Sequence, residues 1–241
     1  MIFDQSAYHI RCEWGEQGVL RLAPASDAII IVDVLSFSTA VDIATSQGAI
    51  VYPYRWKDKT AEDFAKSVGA QLTDKKSEHS YRLSPASLLG LPPRTRLVLP
   101  SPNGSHLSLL TGPTPTIAGC LRNCRAVAES ALKKGKHIAV IPAGERWENG
   151  QLRPCLEDMA GAGAIISYLQ GSLSPEAEMA VAVFENIRAR LMQSILVCLS
   201  GREKAARGEQ RDVALATELN ASICVPILKD GAYYREAWQT L

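Results

Sequence analysis

Apolar and polar positions along this chain come in alternating blocks. Residues 28–32, AIIIV, form a continuous apolar, largely β-branched run, the pattern of a strand covered on both faces. Shorter runs of the same kind lie at residues 49–52, halted by Pro53, at 96–99, halted by Pro100, and at 116–118, 136–141 and 223–225. Between them stand helical segments with recognisable punctuation. Ser38 or Thr39 can cap a helix reaching Gln47, with Gly48 closing it. Residues 58–68 read as a helix ended by Gly69, and residues 123–134 as one that places Lys133 and Lys134 in its last turn, where cations suit the macrodipole. Residues 157–169 carry Ala160, Gly161, Ala162, Gly163 and Ala164, small enough for close backbone packing. Ser174-Pro175-Glu176 opens a helix that should reach Ala189 or beyond, and two short helices follow near 202–207 and 211–219.

Strands alternating with helices predict an α/β fold, a three-layer α/β/α sandwich around a mostly buried mixed sheet. No linker-like stretch divides the chain, so residues 1–241 read as a single domain. The least regular part is residues 73–93, polar at first and then rich in Pro and Gly. Apolar positions around Leu88–Leu91 there offer a surface for homo-oligomerisation.

Composition narrows the function. Of 241 residues 46% are hydrophobic, which excludes a disordered chain, and 26 basic residues against 25 acidic ones leave none of the basic excess that a nucleic-acid footprint needs. Six cysteines, none in a C-x-x-C pair, read as reduced thiols in a cytoplasmic protein. The N-terminal residues lack a basic stretch followed by an apolar run, and no run approaches the ~20 apolar residues of a membrane span. The expectation is a soluble protein with no nucleic-acid or membrane partner.

Ligands of open α/β sheets collect beyond the carboxyl ends of strands, and three such ends carry chemistry. After residues 28–32 come Asp33, Ser36, Ser38 and Thr39, a carboxylate and hydroxyls suited to a metal or an anion, though equally to a turn and a cap. After residues 96–99 come Ser101, Asn103, Gly104 and Ser105, where amides and hydroxyls can approach a phosphate, or simply form an Asn-Gly turn. After residues 136–141 come Gly144, Glu145 and Arg146, and then Glu157-Asp158 at a helix start, where acidic residues also serve as routine capping. Carboxylates converging with phosphate-binding amides are what Mg²⁺-assisted phosphoryl transfer requires. The other candidates are weaker. His106 reads as a helix-start residue, Cys155 as a packed thiol without a His partner, and Trp14, Trp56, Trp147 and Trp238 are too scattered to stack bases.

In this order the three segments resemble the 2-phosphosulfolactate phosphatase family. The residues that carry the likeness are Asp33-Val34-Leu35-Ser36, Ser84-Pro85, Asn103-Gly104-Ser105, Gly119 to Asn123 with Ala126-Val127-Ala128, Ala143-Gly144 and Glu157-Asp158. The C-terminal SGREKAARGEQRDVALATELN is similar to the family's tail, and the likeness spans roughly residues 29–226. It implies an α/β/α phosphatase that is Mg²⁺-dependent and acts on a small anionic phosphoester. Asp33, Glu157 and Asp158 would then serve as metal ligands or catalytic carboxylates. Ser36, Ser38, Thr39, Asn103, Gly104, Ser105, Glu145 and Arg146 would line the substrate site. The chain departs from the pattern where Ser36 replaces the family's Arg, Leu83 replaces an Asn, Pro102 interrupts the T-N-G-T motif, and residues 71–83 lack the G-E-R-G-G segment. Arg55, Arg82, Arg146 or Arg202 would have to supply the missing charge. A scaffold that binds a small anion without turning it over is the alternative.

Overall fold

A computed structural model describes residues 2–73 and 81–236. The polar start of the 73–93 excursion, with His79, and the C-terminal Trp238 lie outside the described residues. The strands are β1 (Ile10–Cys12), β2 (Ala28–Val32), β3 (Ile50–Tyr54), β4 (Gln71–Leu72), β5 (Arg96–Pro100), β6 (Thr116–Gly119), β7 (Ile138–Pro142), a separate ribbon of β8 (Glu145–Arg146) and β9 (Leu152–Arg153), and the hairpin of β10 (Pro226–Lys229) and β11 (Ala232–Arg235). The helices are α1 (Gly15–Leu22), α2 (Phe37–Ser46), α3 (Lys59–Ser67), α4 (Gly104–Ser108), α5 (Cys124–Leu132), α6 (Leu156–Ile166), α7 (Pro175–Ile187), α8 (Leu191–Val197), α9 (Leu199–Ala206) and α10 (Gln210–Ala216). No helix among the described residues is long and apolar enough to cross a membrane.

Outside the ribbon, the strands form one mixed sheet in the order β1-β7-β2-β6-β10-β11-β3-β5-β4. The strand run AIIIV explains its centre. Ile30 and Val32 point into a core shared with α5, α6 and α7, while Ile29 and Ile31 point into a second core with Val19 and Leu22 of α1. The same alternation recurs in β5, where Leu97 and Leu99 meet α2 and Val98 packs on the opposite side with Ala65 of α3. Helices therefore cover both faces.

The sheet has two parallel blocks, β1-β7-β2-β6 and β3-β5-β4, joined through the antiparallel hairpin. In a flat sheet that parity would send the carboxyl ends of β2 and β5 to opposite edges. Five inter-strand steps at roughly 20–25° each accumulate about 110° of twist, and β11 touches β3 through the single pair Tyr233–Val51. The twisted sheet thus brings Gly104, beyond β5, to Asp33, beyond β2, with a 3.0 Å hydrogen bond between them.

Several boundaries differ from the sequence expectation, each for a local reason. Strand β3 runs through Pro53 rather than stopping there. Ile50 N donates to Thr95 O and Tyr54 O accepts from Ser101 N, so alternate residues bond β5 and Pro53 faces β11 beyond its one pairing. The last expected strand, 223–225, lies instead at Pro226–Lys229. It continues into β11 through Asp230 and Gly231, both at positive φ as a two-residue hairpin turn requires. Leu88 and Leu91 are 0% and 4% exposed and sit against α2, so of the expected apolar surface Leu89, 43% exposed, is the part that faces outward. The excursion is pinned instead of projecting: Asp212 of α10 accepts from Ser84 Oγ at 2.7 Å and from Ala86 N at 2.9 Å.

The small-residue helix packs as its sequence implies. A Cβ added to Gly163 would lie 2.0 Å from Ala180 O of α7, a backbone atom that cannot swing away. Gly163→Ala is expected to cost about 3 kcal/mol or more, which is roughly 6–12 °C in Tm. Thermal unfolding checks this, and an unchanged Tm would mean that α6 and α7 are not in contact there.

Candidate functional site

Asp33 follows the last residue of β2 and is buried. Its Oδ1 accepts from Phe37 N at 3.1 Å and its Oδ2 from Gly104 N at 3.0 Å, so one carboxylate takes the first free amides of both α2 and α4. Gly104 is required here by space, because a Cβ would fall 2.3 Å from the Phe37 ring. Burial, then the neighbouring charge of Glu145, push the Asp33 carboxyl up to about 6.

Asp158, in the first turn of α6, makes a second clamp of the same kind. Oδ1 accepts from Val34 N and Oδ2 from Gly144 N, both at 2.8 Å. It therefore ties the loop after β2 to the loop after β7. Burial, with Glu157 and Asp33 nearby, raises its carboxyl well above the usual range. Glu157 beside it is 3% exposed, and its Oε2 accepts from the Cys198 thiol at 3.3 Å. Asn103 Nδ2 donates to Glu145 Oε2 at 2.8 Å, which joins the loop after β5 to the ribbon after β7. The three strand ends singled out by the sequence thus converge.

Their individual roles differ from the expectation. Ser38 and Thr39 do not cap α2 and are wholly buried. Ser38 Oγ donates to Ile31 O and accepts from Asp33 N, and Thr39 Oγ1 donates to Val34 O. Ser105 Oγ donates to Leu99 O and is equally buried. These three hydroxyls fix the loops and have no surface left for a substrate. Gly104 likewise spends its amide on Asp33. Four strand-end and helix-start amides, those of Val34, Phe37, Gly104 and Gly144, already hold the protein's own carboxylates.

The open space lies next to them. A cavity of about 590 Å³ is walled by Leu35 and Ser36 from the Asp33 loop, Glu145 from the ribbon, Lys57, Asp58, Lys59 and Glu62 around the start of α3, Arg82 and Ser84 from the excursion, and Ser200, Glu203, Lys204, Arg207 and Glu209 around α9, so its basic and acidic side chains are equal in number. Lys204 is already paired with Glu209 at 3.0 Å and approaches Asp212 at 3.5 Å. Arg82 and Arg207 have no acidic partner among the described residues. Of the arginines proposed to make good the missing charge, Arg82 therefore lies in this wall. Arg146 faces a smaller cavity of about 290 Å³ with Glu16 and Asn103, and Arg55 lies over the Trp56 ring at 4.3 Å. Sequence reasoning missed Ser200, Lys204 and Arg207, whose signal was the family-like tail itself. Cys155 is buried with its thiol pushed up, which suits a packed residue and not a nucleophile. His106 is held 2.9 Å from Glu16 Oε2 inside α4.

Whether these residues suit a divalent cation can be tested on the charges. Burial and unscreened neighbours raise Asp33 and Asp158, an electrostatic cost that a cation beside Asp33 and Glu157 would offset. Among the described residues, no group of three His, Cys, Asp or Glu side chains is placed to hold a metal by itself. The arrangement fits an ion that takes one or two carboxylates and completes its shell with water and substrate oxygens, as Mg²⁺ commonly does. It does not fit a closed structural metal.

Asp33 also sets a pH dependence. The folded chain keeps its proton up to about pH 6, whereas an unfolded Asp releases it near 3.8. Raising the pH through that window therefore costs the folded state stability, on the order of 2–3 kcal/mol. In EDTA, the stability of Asp33→Asn relative to the unsubstituted protein is expected to rise between pH 4 and pH 7, measured by urea unfolding. A gap that stays constant with pH would contradict a raised Asp33.

The chain matches the family model described as 2-phosphosulpholactate phosphatase over residues 19–231. It is 31% identical over 217 residues to the probable 2-phosphosulfolactate phosphatase of Carboxydothermus hydrogenoformans, covering 86% of this chain and 88% of that one. It is 30% identical over 135 residues to the 2-phosphosulfolactate phosphatase of Methanothermobacter thermautotrophicus, covering 56% and 57% respectively. The matched span contains all three converging strand ends, the ribbon, and the helices that wall the large cavity. With ordered motifs, fold and relatives in agreement, the chain belongs to the 2-phosphosulfolactate phosphatase family.

Proposed function

We propose that the protein is a Mg²⁺-dependent phosphatase acting on a small phosphorylated hydroxy acid, a phosphomonoester like 2-phosphosulfolactate, in the cavity of about 590 Å³. The observation that carries this reading is the meeting of buried carboxylates with a cavity whose wall brings Lys57, Lys59, Arg82, Lys204 and Arg207 together with acidic Asp58, Glu62, Glu145, Glu203 and Glu209. Glu145 both lines the cavity and raises Asp33 by its charge. A phosphate monoester needs positive charge on its oxygens, a positioned water and a route for the leaving oxygen.

Asp33 and Glu157 would hold the cation, which when bound supplies charge neutralisation for the phosphoryl oxygens. Asp158, with both oxygens on backbone amides, keeps the loops after β2 and β7 in register. Arg82 and Arg207 face the cavity without acidic partners among the described residues and would receive the anionic groups of the substrate. Ser36 and Ser200, in the same wall, offer neutral donors. Leu35 and Pro100 supply apolar surface that limits water at the reacting phosphate.

Phosphate release from a panel of phosphomonoesters tests the proposal. Turnover is expected with Mg²⁺ and is expected to vanish in excess EDTA. Asp33→Asn is expected to lower kcat/KM by at least about 10²-fold, since it removes charge stabilisation from the transition state. Binding of phosphoesters with no release under any divalent cation would favour an anion-binding scaffold over an enzyme.

A further inference from the structure

Four carboxylates meet at the converging strand ends, and three of them do not line the large cavity. Asp33 and Asp158 each have both oxygens on backbone amides, and Glu157 is 3% exposed with an oxygen on the Cys198 thiol. Glu145 differs. It stands on the short ribbon β8–β9, is partly exposed, and lines both the 590 Å³ cavity and the 290 Å³ one beside it. Of the four it alone lines the large cavity.

Its hydrogen bonding also distinguishes its two oxygens. Oε2 accepts from Asn103 Nδ2 at 2.8 Å, while Oε1 has no hydrogen-bond partner among the described residues. An amide N–H can only donate, so Oε2 must be the acceptor, and a proton carried by the acid form belongs on Oε1. Asn103 thus holds the carboxyl in one orientation, with the proton-bearing oxygen free. Its own anchor is the loop that delivers Gly104 to Asp33, so the acid is referenced to the same strand ends as the buried carboxylates.

We propose that Glu145 is the catalytic acid that protonates the leaving oxygen, with Asn103 as its positioning residue. The inference rests on the phosphatase reading above and adds the residue that touches the leaving group. The bond between phosphorus and the ester oxygen breaks with its electron pair on that oxygen, which takes the proton from Glu145 Oε1 and leaves as the alcohol. The oxygen of water forms the new bond to phosphorus, and its proton goes to solvent, from which Glu145 is recharged. Water and phosphomonoester thus yield alcohol and inorganic phosphate with no other reactant.

A general acid matters in proportion to the basicity of what leaves. An alkoxide needs the proton, whereas p-nitrophenolate departs without it. The test compares Glu145→Gln with the unsubstituted protein, in Mg²⁺, on phosphoglycolate and on p-nitrophenyl phosphate. The expected loss of kcat is about 10²–10⁴-fold on the alkyl ester and less than about tenfold on the nitrophenyl ester, whose turnover also reports that the variant is folded. Equal losses on both esters, or no loss on either, overturn the role of Glu145 while leaving the phosphatase reading intact. Failure of the unsubstituted protein to release phosphate from these two esters and from the rest of the phosphomonoester panel overturns both.

Discussion

Two buried carboxylates hold this molecule's strand ends together. Asp33 takes amides from α2 and α4, and Asp158 takes amides from the loops after β2 and β7. Each satisfies two backbone donors that would otherwise be stranded in an apolar interior, at a cost of roughly 1–3 kcal/mol apiece. The cavity, the ribbon that carries Glu145 and the curl of the sheet all depend on these ties. The two parallel blocks of strands run with opposite parity, and the Gly104–Asp33 hydrogen bond is what joins their carboxyl ends.

The same arrangement accounts for the division of labour in the site. Helix starts and strand-end loops are common seats for phosphate, but here the protein's own carboxylates occupy them. Substrate anions are left to the side chains of the cavity wall, where Lys59, Arg82 and Arg207 lack an acidic partner among the described residues. Ser36 of the β2 loop opens onto the same wall as Arg82 of the excursion and Lys204 and Arg207 around α9.

Much of the fold was legible because its signals are local. AIIIV is a two-sided strand in any context, Asp58 caps α3 through Thr60 N, and Ser174-Pro175 starts α7 with Ser174 accepting from Ala177 N. The hairpin went unread although Lys229-Asp230-Gly231-Ala232 carries an Asp-Gly turn signal, because the preceding apolar residues 223–225 drew the last strand three residues early. The three chemical segments were identified correctly as neighbours. What the sequence could not show is which polar groups face inward. Ser38, Thr39 and Ser105 look like ligand-binding hydroxyls, yet each bonds a backbone carbonyl in the core. Asp158 and Glu157 are adjacent in the chain, but one clamps loops and the other meets a thiol, a difference set by long-range packing of α6.

The central claim is that the carboxylates keep the strand-end amides while the substrate phosphate sits in the neighbouring cavity. A crystal structure with Mg²⁺ and vanadate, a phosphate mimic, tests this directly. The account predicts the vanadate in the 590 Å³ cavity beside Glu145, with Asp33 still bonded to Phe37 N and Gly104 N. Vanadate seated on those amides, with Asp33 displaced, would contradict it.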